Sequence, residues 1–182
     1  MTRKNISNWT IKKREKVFSD KFLNLYKYQT INPAGGRGYF IVAKRDFDFS
    51  VVIPKISDKE ILIIRQFRPA VERLVWELPM GSVDGVDPLE MAKTELRQET
   101  GYLAKKWRSL GSVYPAAGLL SQKGHIYLAE ELSYVGDDPE PDEFIEIKKI
   151  SLESFEEMIK KGEMVDAISI AAYYLFKIKG DA

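Results

Sequence analysis

Three side chains between residues 95 and 99 are of types that could bind a metal ion or a phosphate. Glu95, Gln98 and Glu99 are spaced i, i+3 and i+4, so on a helix they share one face within a single turn. Two carboxylates one turn apart can converge on a hard divalent cation, and magnesium takes oxygen ligands while keeping several waters. A solvated helix face is the alternative, although such a face would normally include Lys or Arg as ion-pair partners.

Composition excludes several other kinds of catalytic site. The 182-residue chain has no cysteine, which removes disulfides, thiolate nucleophiles and zinc–thiolate or iron–sulfur sites. His125 is the single histidine, so a multi-histidine metal site cannot form, and we interpret it as a structural or surface residue. Any catalysis must therefore use carboxylates, Lys, Arg, Tyr or a metal held through oxygen.

Charge and hydropathy indicate which classes of binding partner and which cellular location to expect. The chain has 28 basic and 27 acidic residues, a net charge of +1, so it offers no field that attracts nucleic acid or an anionic membrane. The first residues lack the apolar run of a signal peptide. The longest apolar stretch, 167–176, is too short for a bilayer, which needs about 20 residues. We therefore expect a cytoplasmic protein with no nucleic-acid or membrane partner.

A well-specified helix carries the three side chains. Asp87 is a good N-cap, Pro88 occupies the first helical position, and Gly101 ends the helix. Glu90 is expected to complete a capping box with Asp87. An apolar stripe for packing lies on another side of the helix and consists of Leu89, Ala92 and Leu96. The preceding loop, 79–85, has two glycines and could offer a backbone carbonyl to a metal.

The remaining elements predict an α+β fold. The segment 61–67 reads as a buried strand that delivers Gln66 and Arg68 to an edge or cleft. Residues 10–30 are expected to form two strands around a turn at 19–20. Further strands are expected at 39–44, 49–54, 75–78, 107–114, 125–129 and 144–150. Helices are expected at 152–161 and 167–177, and the acidic segment 136–143 is interpreted as a loop. Strands with helices between and after them are typical of an α+β protein or an α-β-α sandwich.

The stretch from Gly81 to Tyr102 resembles the Nudix box, the loop–helix signature of hydrolases that cleave a nucleoside diphosphate linked to another group. The loop is one residue short of that pattern. Val86, Thr94 and Gln98 replace a glutamate, an arginine and a glutamate. Thr94 and Gln98 lie i, i+4, so the two lost charges would have faced each other, and no unpaired charge remains. The positions that match are Gly81, Glu95, Leu96, Glu99, Gly101 and Tyr102.

Segments outside the box resemble the ADP-ribose and nucleoside-diphosphate-sugar pyrophosphatase branch of this family. The resemblance implies a Nudix α-β-α sandwich of mixed sheets at 46–182. It also implies an N-terminal antiparallel β-sheet region at 1–45 that contributes to nucleotide binding and joins two subunits into a homodimer. The segments that carry it are 64–69, 76–81, 114–118, 126–132 and 142–147.

The same resemblance implies a metal site that holds Mg²⁺, with Mn²⁺ as a possible substitute. Met80 would offer its backbone carbonyl, and Glu95 and Glu99 would offer their carboxylates. Glu143 would be a further metal ligand or the general base, and Glu140 is the second candidate for the base. A surface position in the acidic loop is the plain alternative for Glu143.

The substrate contacts implied by the resemblance come from several segments. Arg68 would contact the nucleotide or its phosphates, unless it simply pairs with Glu72 or Glu77 on the surface. Trp9 and Arg37 would contact the nucleobase end, with ordinary sheet packing as the alternative for Trp9. The substrate-binding set is completed by Glu77 and Gly118.

Two functions follow from these residues. The first is a Mg²⁺-dependent pyrophosphohydrolase that cleaves ADP-ribose or a related nucleoside diphosphate sugar to a nucleoside monophosphate and a sugar phosphate. The second is a Nudix-fold module that binds or senses a nucleotide sugar without cleaving it. The second is motivated by the departures at Val86, Thr94, Gln98 and Gln122. Ala117 and Gln122 depart from the branch near the expected place of the terminal sugar, which argues against ADP-ribose as the sole substrate and leaves other nucleoside diphosphate sugars open.

Overall fold

The computed structural model describes residues 6–83, 85–136 and 144–179. The chain forms two compact units. One contains the chain up to Asp46 together with Tyr114–Gln122, and the other contains Phe47–Val113 together with the chain from Lys123 onward. In the described ranges no helix is both long and apolar enough to cross a membrane.

The first unit is built on a three-stranded antiparallel sheet. Asn32 closes the turn between the second and third strands, because its Oδ1 accepts hydrogen bonds from the N–H groups of Ala34 and Gly36, each at 2.9 Å. The segment after residue 114 joins the third strand through Ala43, whose N–H donates to the Leu119 carbonyl at 2.8 Å. The strands are β1 (Thr10–Ser19), β2 (Asn24–Ile31) and β3 (Arg37–Lys44), in that spatial order.

The second unit is built on a seven-stranded mixed sheet with β4 at its centre. The first half of β4 lies between β7 and β9, and its second half pairs with β5 at Lys55 and Ser57. The strands are β4 (Asp48–Ser57), β5 (Glu60–Arg68), β6 (Arg73–Glu77), β7 (Met80–Val83), β8 (Tyr102–Val113), β9 (Gly124–Tyr134) and β10 (Glu146–Ser151).

Helices cover both faces of this sheet, which confirms the α-β-α sandwich. Side chains alternate along β4, so Val51 and Ile53 face one layer while Val52 faces the other. The larger core packs the sheet against α2 (Leu152–Lys160) and α3 (Ala167–Lys179), with Phe155 fully buried at its centre. The smaller core packs Val52 and Ala129 against Ala92 and Leu96 of α1 (Pro88–Thr100).

The structure corrects three local expectations. Residues 80–83 form strand β7 rather than a loop, because they pair with the first half of β4. Strands β8 and β9 extend beyond the expected ranges, since they form one long antiparallel pair from Tyr102 to Val113. The Glu90 carboxylate accepts a hydrogen bond from Lys93 Nζ at 2.6 Å, so it does not complete a capping box.

Candidate active site

Helix α1 is fixed in position by its ends and by its buried side. Asp87 Oδ1 accepts a hydrogen bond from the Leu89 N–H at 2.8 Å. Gly101 ends the helix with φ 73°, a conformation that favours glycine, and its N–H binds the Arg97 carbonyl at 2.8 Å. Ala92 and Leu96 are fully buried under the sheet. This packing sets the rotation of the helix and turns residues 95 and 99 toward β7.

Glu99 is buried and is held by the backbone of β7. Only 3% of its surface is exposed, and its Oε2 accepts a hydrogen bond from the Met80 N–H at 3.0 Å. The Val52 N–H donates to the Pro79 carbonyl at 2.9 Å, which makes the facing residues Val51 and Met80 a non-hydrogen-bonded pair. Met80 therefore directs both its N–H and its C=O away from β4, on the side where Glu99 lies.

Glu95 lies directly over the backbone of Gly81. A Cβ atom added to Gly81 would stand 1.8 Å from Glu95 Oε1, so any larger residue would displace this carboxylate. Glu95 and Glu99 therefore bracket the Met80–Gly81 peptide. The face at 95 and 99 is thus a packed face rather than a wet one.

The two carboxylates line a cleft of about 440 Å³. Gln98 also lines it, and its carboxamide makes no hydrogen bond with the residues that the structure describes. Thr94 uses its hydroxyl to bond the Glu90 carbonyl at 3.0 Å. Gln66 reaches this cleft, as the strand pattern predicts. The other lining residues are Arg68, Met80, Gly81, Ser82, Met91, Thr94, Glu95 and Glu99.

Arg68 borders the cleft and forms a hydrogen-bonded ion pair with Glu77. Its Nε donates to both carboxylate oxygens of Glu77, at 2.8 and 3.1 Å, and its Nη2 donates to Oε2 at 2.5 Å. These hydrogen bonds raise the pKa of Arg68 against the opposing effect of burial, and the negative charges of Glu77, Glu99 and Asp166 add to the rise. Glu77 is 3% exposed, so the pair is buried on the carboxylate side. The structure therefore makes Glu77 a positioning residue for Arg68.

The donor set of the cleft fits a hard cation that keeps part of its water shell. Within residues 6–83, 85–136 and 144–179, no three His, Cys, Asp or Glu side chains come together as a ready cage. Two carboxylates and the Met80 carbonyl supply oxygen ligands only, which suits magnesium. Such a shell would be completed by water and by substrate phosphate oxygens.

The other candidate residues lie elsewhere or outside the description. Trp9, Arg37 and Gly118 belong to the first unit. Trp9 is half-exposed and meets the ring of Phe40 edge-on, with ring centres 5.8 Å apart, so it has a packing contact of its own. Arg37 is exposed at the start of β3, and Gly118 sits in a turn with open space beside its Cα. Glu140 and Glu143 lie outside the described residues.

Sequence reasoning did not identify Ser82 or Met91 as cleft residues. Met91 is four positions before Glu95, so helical spacing could have found it. Ser82 could have been found only with the pairing of β7 known. Ser169 was also missed: its fully buried Oγ accepts the Leu78 N–H at 2.8 Å and donates to Asp166 Oδ2 at 2.7 Å.

The sequence of the chain matches the NUDIX domain over residues 46–173, which contains the whole carboxylate cleft. The chain belongs to the Nudix family. It is also 32% identical over 180 residues to the ADP-ribose pyrophosphatase of Bacillus subtilis (strain 168), covering 97% of this chain and 96% of that one. Together these matches establish this Nudix protein as a hydrolase.

Other relatives are consistent with this assignment. The Nudix protein is 26% identical over 172 residues to the GDP-mannose pyrophosphatase of Salmonella paratyphi B (strain ATCC BAA-1250 / SPB7), covering 86% of this chain and 89% of that one. A solved structure titled "Crystal structure of ADP compounds hydrolase" superposes with a TM-score of 0.86 at 19% identity, over 98% of both chains. That similarity confirms the fold, including the separate antiparallel sheet.

Proposed function

We propose that this Nudix hydrolase is a Mg²⁺-dependent pyrophosphohydrolase of ADP-ribose or a related nucleoside diphosphate sugar. The observation that carries the proposal is the bracketing of the Met80–Gly81 peptide by Glu95 and Glu99 in an open cleft. The relatives named for ADP-ribose and GDP-mannose pyrophosphatase activity support this class of substrate.

Four residues of the cleft have roles in this reaction: Met80, Glu95, Glu99 and Arg68. The carboxylates of Glu95 and Glu99 and the Met80 carbonyl would hold the cation, which when bound would polarise the diphosphate and lower the pKa of its water. Arg68 keeps N–H groups beyond those that bind Glu77, and it binds the non-bridging oxygens of the diphosphate. Glu143 accepts the proton of the attacking water, with Glu140 as the alternative base.

The bond changes balance as a simple hydrolysis. The water oxygen forms a bond to one phosphorus, and the bond from that phosphorus to the bridging oxygen breaks. The products are a nucleoside monophosphate and a sugar phosphate. By the family resemblance, Trp9 and Arg37 would contact the nucleobase end, and Gly118 would be a further substrate contact.

Product analysis tests this proposal directly. ADP-ribose, ADP-glucose, GDP-mannose and UDP-glucose would each be incubated with the protein in magnesium and in chelator. We expect chelator-sensitive release of a nucleoside monophosphate from at least one of them. Glu99→Gln should lower the rate by orders of magnitude. Glu90→Gln is the matched control, because it removes an exposed carboxylate from the same helix. Equal rates in the two variants would refute the metal assignment.

The alternative function is a module that binds a nucleotide sugar without cleaving it. Gln98 favours it, because an amide replaces a carboxylate on the cleft wall and the cation is then held by fewer charges. The same panel separates the two functions. A thermal shift caused by one nucleotide sugar in magnesium, with no product released, would support the module and exclude the hydrolytic proposal.

We also propose that the first unit joins two copies of the chain. Every residue of β1 is exposed, and large apolar side chains stand on this sheet in water. They include Ile11, Phe18, Phe40 and Ile41, each between 41% and 49% exposed. Burial of such side chains against a second copy would stabilise a homodimer. Light scattering that gives a monomeric mass at micromolar concentration would contradict this.

A further inference from the structure

The helix side of the carboxylate cleft carries a polar side chain whose hydrogen-bonding groups are unused. Gln98 lines the cleft and is half-buried, and its carboxamide makes no hydrogen bond with the residues that the structure describes. Thr94, one turn earlier, directs its hydroxyl back to the Glu90 carbonyl at 3.0 Å. Glu99 accepts a hydrogen bond from the Met80 N–H at 3.0 Å. On this face of α1 a free carboxamide therefore stands beside polar groups that are already engaged.

Strand β5 supplies a second carboxamide to the same cleft. Gln66 projects from the same face of β5 as Arg68, because strand side chains alternate with period two. Its side chain is half-buried and has no hydrogen-bond partner in the described part of the chain. A carboxamide has two N–H donors and one carbonyl acceptor, and it carries no charge. The cleft therefore receives neutral N–H donors from both a helix and a strand.

The polar groups that line the cleft fall into two sets. The two carboxylates and the Met80 carbonyl are acceptors, and they suit a cation. Arg68 and the N–H groups of the two carboxamides are donors, and they suit an anion. A diphosphate that enters together with magnesium presents both kinds of partner. Each set of groups then has its own part of the ligand to bind.

The absence of charge at position 98 also favours an anionic ligand. Glutamate has nearly the same shape as glutamine, but it is ionised at neutral pH and has no N–H to donate. Beside Glu95 and Glu99 it would be a third negative charge facing the diphosphate, and like charges repel strongly where water is partly excluded. Gln98 removes that repulsion and places donors at the same point. The departure from the family pattern therefore exchanges a group that binds cations for one that binds anions.

We propose that Gln98 is a substrate-binding residue whose amide N–H donates to a non-bridging oxygen of the diphosphate, with Gln66 as a second donor from β5. This inference rests on the proposed function, because it needs a diphosphate in this cleft, but it does not need that diphosphate to be cleaved. Neutral donors hold the anion without neutralising Glu95 and Glu99, so both carboxylates stay available to the cation. The replacement of the box glutamate thus changes what position 98 binds.

Methylenediphosphonate is a suitable probe of this contact. Its P–C–P bridge is not hydrolysed, and it has neither a nucleobase nor a sugar, so its affinity reports the diphosphate contacts alone. Titration calorimetry in magnesium would compare the natural chain with Gln98→Met and Gln66→Met, because methionine has a similar length but no donor. Gln29→Met is the matched control, since Gln29 is an exposed glutamine of β2 that does not line the cleft.

We expect Gln98→Met and Gln66→Met each to weaken binding of methylenediphosphonate about tenfold, because a hydrogen bond to a charged group is lost. Gln29→Met should stay within about twofold of the natural chain. An affinity within about twofold in Gln98→Met would overturn the proposal, and the same result in Gln66→Met would overturn the contact from β5. Equal weakening in Gln29→Met would also overturn it, because the effect would then not come from the cleft.

A second readout comes from the natural chain itself. The side-chain NH₂ signals of Gln98 in a proton–nitrogen correlation spectrum are identified by their absence from Gln98→Met. They should shift when methylenediphosphonate is added in magnesium, whereas those of Gln29 should not. Unshifted Gln98 signals at saturation would overturn the proposal even if Gln98→Met had lost affinity through misfolding.

The two readouts separate this contact from the proposed reaction. Shifted Gln98 signals, with no nucleoside monophosphate released from any nucleotide sugar of the panel, would refute cleavage and support the contact. Release of nucleoside monophosphate by a chain whose Gln98 signals do not shift would support cleavage and refute the contact.

Discussion

Gly81→Ala should lower turnover strongly while leaving the protein folded. The added Cβ would stand 1.8 Å from Glu95 Oε1 and 2.0 Å from Glu95 Cδ, whereas ordinary contact begins at 3.4 Å. The carboxylate must therefore move by roughly 1.6 Å, the difference between the two distances. Since a misplacement of about 1 Å can cost about 100-fold in rate, we expect kcat to fall by at least about 100-fold.

The fold should tolerate this change because the atoms that collide with the new methyl group belong to one half-buried, flexible side chain. The free energy of unfolding in urea should change by less than about 1 kcal/mol. Gly38→Ala is the matched control, because its nearest contact is Thr30 Oγ1 at an ordinary 3.7 Å. Magnesium affinity from titration calorimetry would be measured with the release rate of nucleoside monophosphate. A stable Gly81→Ala protein with turnover within threefold of the natural chain would refute the reasoning.

Three further predictions concern individual side chains. Ser169→Ala leaves the buried Leu78 N–H without its acceptor, and urea unfolding should show a loss of about 1–3 kcal/mol; a loss under 0.5 kcal/mol would contradict this. Burial raises the pKa of the Asp48 carboxyl, but hydrogen bonds from His125 and from the Lys123 N–H outweigh that effect. The net result is a pKa below the usual value. Its stabilising contribution is therefore present above the unfolded pKa of about 4 and lost as pH falls through the folded pKa, so the stability difference from Asp48→Asn should shrink between about pH 5 and pH 3. A difference that stays constant over that interval would exclude this linkage. Gln98→Glu adds a third carboxylate to the cleft and should tighten magnesium binding several-fold at pH 7 by calorimetry, and unchanged affinity would show that position 98 does not face the cation.

The helix that carries the carboxylates could be predicted from sequence because its signals are local. An N-cap, a proline and a terminal glycine all lie within the stretch from Asp87 to Gly101, and each acts on its neighbours. The burial of Glu99 has no local signal. It depends on a hydrogen bond to Met80, which is 19 residues earlier and lies on a strand whose four residues show no periodicity.

The ion-pair partner of Arg68 likewise could not be predicted from local sequence signals. Sequence left Glu72 and Glu77 as alternatives, since both are within reach along the chain. The structure selects Glu77 because the β5–β6 pair places it on the same face as Arg68, whereas Glu72 lies in the turn before β6, in the left-handed conformation with φ 52°. Strand register, which follows from the whole sheet, decided between them.

One short segment, residues 77–81, sets the distances between the charged groups of the site. Each of its five consecutive residues contacts one partner, four through a hydrogen bond and Gly81 through the space left by its absent Cβ. Glu77 holds Arg68 by its carboxylate, and Met80 holds Glu99 by its N–H. The partners of the other three are Ser169 for Leu78, Val52 for Pro79 and Glu95 for Gly81.

This arrangement explains why a loop that is one residue short of the family pattern is compatible with an intact site. The shortening falls after Gly81, beyond the last residue of the segment, and the contacts of residues 77–81 with their partners are all present. A deletion inside the segment would instead shift side chains to the opposite face of the strand, because strand side chains alternate with period two. It would separate Arg68 from Glu77 and Glu99 from Met80 in a single step. The position of the missing residue, and not its absence, therefore decides whether the contacts of residues 77–81 can form.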